Sequence, residues 1–207
     1  MNQDNALNLK DNIVINSMDD IDPEFSLSLR ISEFESDKEL RKFIKATELI
    51  IRKLPEYRVW TQYIRYTLGY TECEITKEQH DETTVEIHHH PFTLYTLCEG
   101  VILDKLDKLE NFCTLDIAME VIKMHFDMKV AFCLLVTSIH EKYHNGYIKI
   151  PMEIVKGDYL EFVKTYMHLL PESEQNRITG LLAVNKENCG WKQQDWYTHS
   201  NANNKDQ

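Results

Sequence analysis

Two stretches decide the fold of this chain. One is Thr83-Thr84-Val85-Glu86-Ile87-His88-His89, followed by His90-Pro91; the other is Val136-Thr137-Ser138-Ile139-His140-Glu141-Lys142-Tyr143-His144-Asn145-Gly146. The first is β-prone and ends at a proline. With Glu72–Ile75 ahead of it and the polar link Lys77–Glu82 between, it predicts a β-hairpin. The second predicts a short helix, Ser138–Asn145, stopped by Gly146. Residues four apart lie on one helix face, so His140 and His144 offer two imidazoles to a single ion. A metal that stays open to water needs about three protein ligands, and the strand histidines supply the third. Imidazole suits Zn²⁺ or Ni²⁺ better than Mg²⁺. Side chains alternate along a strand, so His88 and His90 share a face while His89 points away.

Working outward, Ser36-Asp37-Lys38-Glu39 is a capping box that opens a helix running to about Pro55, with Leu40, Phe43, Ile44, Ile51 and Leu54 inward. A second helix is expected over Glu56–Leu68, ended by Gly69. Pro91 starts a third, carrying Leu94, Cys98, Val101, Leu106 and Leu109, and Thr114 caps a fourth with Ile117, Val121 and Met124 inward. The apolar run Val130–Val136 fits either a strand or a buried helix. Tyr147–Val155 reads as extended, and helices follow over Gly157–His168 and Pro171–Leu182. The expected class is mainly α with a small antiparallel β-hairpin (α+β). Its parts are an acidic arm (1–35), a helical N-terminal part (36–71), a histidine-bearing core (72–150) with a helical insertion (91–128), C-terminal helices (151–185) and a polar tail (186–207).

Charge sharpens the functional reading. The 207 residues carry 23 Lys and Arg against 34 Asp and Glu, a formal net charge of −11. That excludes a non-specific nucleic-acid coat, which needs an excess of cations. Only 6 Gly and 5 Pro argue against an all-β or disordered chain. Five scattered cysteines without a CxxC pair fit reduced thiols in a cytoplasm, and neither a secretory signal nor a run long enough to span a membrane is visible. The acid is unevenly spread. Residues 1–35 hold eight acids against Lys10 and Arg30, whereas residues 41–66 hold seven basic residues against Glu48 and Glu56. Arg52, Lys53, Arg58 and Arg65, interleaved with Tyr57, Trp60, Tyr63 and Tyr66, are the candidates for DNA contact. The arm is expected to shield this basic face.

The paired strand histidines behind Glu86-Ile87, together with His140-x-x-x-His144, resemble the ββα-metal site of HNH nucleases, in the variant found in the nuclease domains of DNase colicins. The wording His-His-His-Pro-Phe-Thr-Leu is also similar to small HNH-type proteins of tailed bacteriophages. The resemblance covers residues 72–90 and 130–150. It implies a phage-encoded, metal-dependent DNA endonuclease of the host cytoplasm. One divalent ion (Zn, Ni, Mn or Mg, with Zn the best match to imidazoles) would be held by His88, His140 and His144, and His89 would be the general base. A one-residue shift, with His89 as ligand and His90 as base, stays open. The family's Asn between the two elements has no counterpart; Ala131 or Met128 stands near its place, with Asp127 the only polar neighbour. That departure motivates the alternative of a non-catalytic HNH-derived module acting through a phage or host protein partner.

Overall fold

The run Phe132–Val136 is a strand buried at every position, so both of its faces are covered. The computed structural model describes residues 31–79 and 84–190. In it this run is strand β2, and its partner is β1 (Val85–His89), antiparallel, with His88 opposite Cys133 and His89 opposite Phe132. The other edge of β2 is closed by two single legs. The amide of Glu74 donates to the Leu134 carbonyl (2.8 Å), and Lys156 exchanges both backbone bonds with Phe132 (3.0 and 2.8 Å). An ion pair between Lys156 Nζ and Glu74 Oε1 (2.8 Å) ties the legs together. The expected hairpin of Glu72–Ile75 with Thr83–His89 is therefore corrected: residue 74 lies beside β2, and β1 finds its partner some forty residues later. Burying the all-apolar β2 on both faces outweighs the local closure that a hairpin offers.

Seven α-helices surround this two-stranded sheet among the described residues: α1 (Asp37–Lys53), α2 (Pro55–Gln62), α3 (Leu94–Asp107), α4 (Thr114–Phe126), α5 (Thr137–His144), α6 (Leu160–Tyr166) and α7 (Glu172–Leu182). The Ser36 hydroxyl caps α1 by accepting from the Glu39 amide (3.3 Å), while Glu39 Oε2 accepts from the Glu35 amide (2.9 Å), one residue earlier than a standard capping box. A π turn, Tyr63–Thr67, extends α2 to Leu68. The N-cap of α4 is Cys113, whose amide donates to Asp116 (2.9 Å), rather than Thr114. Helices α1, α3 and α4 pack together. Their shared core continues to Phe34, which stands edge-on to Phe43 at 5.3 Å, with Phe112 closing the cluster. Tyr147–Val155, expected to be extended, contains a 3₁₀ turn at Met152–Ile154.

All five cysteines are buried free thiols. No helix among the described residues is long and apolar enough to cross a membrane. Of the acidic arm, residues 1–30 lie outside the described residues, as does 191–207 of the tail.

Candidate metal centre

Helix α5 follows β2 without a loop, so its first two turns lie over the face of the sheet that carries Glu86 and His88. This juxtaposition brings His88, His140 and His144 together. Their ligand nitrogens all lie within 4.8 Å of one another, the one such cluster among the described residues. His140 Nε2 is 2.8 Å from His88 Nδ1 and 2.9 Å from His144 Nε2. An ion about 2.0–2.1 Å from each imidazole would set neighbouring nitrogens about 2.9–3.4 Å apart, a range that the two separations from His140 Nε2 approach.

The donor chemistry points the same way. His140 Nδ1 is 2.6 Å from Glu86 Oε2, which places the proton on Nδ1 and leaves a single lone pair on Nε2. That lone pair faces two nitrogens at once and cannot accept in line from both. A cation at the centre would satisfy all three lone pairs together. Glu86 is itself held, because Thr137 Oγ1 donates to its Oε1 (3.3 Å). A carboxylate behind a ligating imidazole fixes the tautomer and raises ligand basicity. Burial, and then His140, His90 and His144, push the His88 imidazolium far below its ordinary range; burial and His140 lower His144 as well. Both are therefore neutral and ligand-competent at pH 7.

His89 takes no part in this cluster. It points through the opposite face into the core, where its Nε2 lies 2.9 Å from His125 Nε2. Its ring stacks on Trp60 at 5.9 Å and, more distantly, on Tyr57. His125 Nδ1 bonds the Val121 carbonyl (2.7 Å), so His125 Nε2 accepts and His89 Nε2 carries the proton. The resemblance implied a general base at His89; strand alternation carries its ring away from the triad and to His125. His90 does share the face of His88. It is fully buried, with Nδ1 3.2 Å from the Tyr143 hydroxyl, and is pushed down to about 4 by burial and then by Arg177.

The basic candidates divide. Arg52, Lys53 and Arg58 are exposed, with Arg52 paired to Glu48 (2.8 Å). Arg65 instead donates from Nη2 to the Val85 carbonyl (2.5 Å), so it staples the π turn to β1 rather than presenting a free cation. Trp60 is fully buried and cannot stack on a base, whereas Tyr66 is exposed. Glu86 is the residue that motif reading passed over. Its signal was the period of two, which puts it on one face with His88.

One family model, described as bacteriophage G278-like virion protein, matches residues 2–205. No curated protein and no solved structure matches the chain. The expected phage origin agrees with the family match, which carries no nuclease assignment. Spanning nearly the whole sequence, that match identifies the chain as a member of the bacteriophage G278-like virion protein family.

Proposed function

We propose that this protein is a non-catalytic component of the phage particle, in which a divalent ion, best zinc, pins α5 to β1 through His88, His140 and His144. The observation that carries this reading is the pairing of Glu86 and His140 behind a converging triad, while His89, the expected base, is sealed in the core. Three ligands leave one tetrahedral position. In the particle, water or a donor from a neighbouring virion protein would fill it. The ion would stabilise a two-stranded sheet that is too small to hold its own register.

A nuclease is the second reading. It is favoured by the order β1–β2–α5, which is that of a ββα-metal site with a long insertion between its strands, and by the open fourth position. DNA would be its substrate, with Arg52, Lys53 and Arg58 as contacts.

One set of measurements separates the two. Purified protein and His140→Ala are analysed for metal, melted with and without chelator, and incubated with supercoiled plasmid in Zn²⁺, Ni²⁺, Mn²⁺ or Mg²⁺. We expect about one ion per wild-type chain, none in His140→Ala, and no plasmid nicking by either. At free metal about a thousandfold above Kd, the ion would add about 4 kcal/mol to stability, which chelator would remove. Nicking by wild type that His140→Ala lacks would establish the nuclease instead. A metal-free wild type whose melting ignores chelator would discard the metal centre.

A further inference from the structure

Helix α1 presents a row of cations to solvent. Lys38, Arg41, Lys42, Lys45, Arg52 and Lys53 fall within about 120° of one another around its axis. Phe43, Thr47 and Ile51, on the opposite side, are buried. All of the row but Lys42 is fully exposed. Lys38, Arg41, Lys45 and Lys53 have no carboxylate partner among the described residues, and Arg52 has only its exposed pair with Glu48. Elsewhere pairing is common: Lys77, Lys105, Lys108, Lys123, Lys129 and Lys156 each meet a carboxylate. Helix stability does not account for the row. Arg52 and Lys53 suit the negative end of the helix dipole, but Lys38 stands in the first turn, at the positive end.

We propose that α1 lies across the major groove of duplex DNA, with its two groups of cations on the phosphates of the two bordering strands. The spacing carries this inference. Lys45 and Arg52 stand seven residues apart, which is about 10 Å of helix at about 1.5 Å each. The major groove is about 12 Å wide. Leu49, 51% exposed, is the one large apolar side chain over that gap. A protein partner would need an apolar centre with charges at the rim, and this face offers the reverse. Phosphate binding needs only cations in register. The Arg52–Glu48 pair is of the weak, exposed kind, so a phosphate can replace the carboxylate. The net charge of −11 over the whole chain disfavours DNA contact by other surfaces. The proposal requires neither the metal nor cleavage.

The test titrates the full-length chain into short labelled DNA duplexes of two unrelated sequences and follows anisotropy over a series of salt concentrations. Lys38→Gln with Lys45→Gln is compared with a control, Lys108→Gln with Lys123→Gln, which removes the same charge at exposed, paired positions. Each phosphate contact contributes about 0.9 to the slope of log affinity against log salt. We expect Lys38→Gln with Lys45→Gln to lower that slope by nearly two and to weaken low-salt binding at least about tenfold, equally on both sequences. The control should stay close to wild type. No binding by wild type, an unchanged slope, or an equal loss in the control would overturn the proposal. Equal affinity for an RNA duplex, whose deep, narrow major groove α1 cannot bridge, would also overturn it. Displacement of the DNA by polyglutamate at matched charge would give the row to an acidic protein instead.

Discussion

Acid should unfold this protein through the core pair His89–His125 before its carboxylates are reached. Burial pushes His125 down to about 4, with its bond to the Val121 carbonyl pulling weakly the other way. The unfolded chain titrates it near 6.5. Above pH 6.5 the ring is neutral in both states and contributes no pH dependence. Between 6.5 and 4 the unfolded state binds the proton and the folded state refuses it, so stability falls as pH falls. About 2.5 pH units at 1.36 kcal/mol each give a loss on the order of 3 kcal/mol from His125 alone. His89, fully buried and held well below its ordinary value by burial and then by His125, adds to the loss in the same direction. A single domain has about 5–15 kcal/mol in total, so the effect is a large share. The assay is urea unfolding followed by tryptophan fluorescence at pH 7, 6, 5 and 4, in chelator, for wild type and His125→Phe. The variant keeps a ring against Trp60 but leaves the His89 N–H unpaired, which costs about 1–3 kcal/mol at pH 7. Its stability should then fall less steeply on acidification, by up to about 1.4 kcal/mol per pH unit. Parallel curves for the two proteins between pH 6.5 and 4 would refute the reasoning.

Two further changes address the site and its scaffold. Glu86→Gln should leave the fold intact and weaken metal affinity about 10- to 100-fold, measured by competition with a chromophoric chelator, because the carboxylate behind His140 is lost; unchanged affinity would remove Glu86 from the site. Gly157 has a φ of +87°, and a Cβ there would drive into the Val130 carbonyl oxygen. Gly157→Ala should therefore lower stability by more than about 2 kcal/mol, seen as a lower urea midpoint at unchanged slope. A loss below about 1 kcal/mol would mean that the Lys156 leg is not laid closely on β2.

Helices were legible where local chemistry determines them. Ser36 and Glu39 mark the start of α1, and Gly146, at a φ of +74°, ends the helix that carries His140 and His144. Strand pairing was not legible, because nothing in Thr83–His89 names its partner. The hairpin expectation followed proximity, whereas the pairing follows the need of Phe132–Val136 to be covered on both sides. The triad was legible through the four-residue spacing of His140 and His144 and the end of the strand. His89 shows the opposite case. Alternation alone set it on the far face, and the role implied by family likeness ran against that period. The Glu86–His140 bond needed only the same alternation, but it joins residues 54 positions apart, and only the fold brings them together.

The central claim is that His88, His140 and His144 hold one divalent ion. X-ray absorption at the metal edge on the purified protein tests it most directly. The account predicts one zinc per chain with three imidazole nitrogens at about 2.0–2.1 Å and a single lighter donor in the remaining position. A spectrum with fewer than two imidazoles, or protein that binds no metal when supplied with a stoichiometric amount, would contradict it.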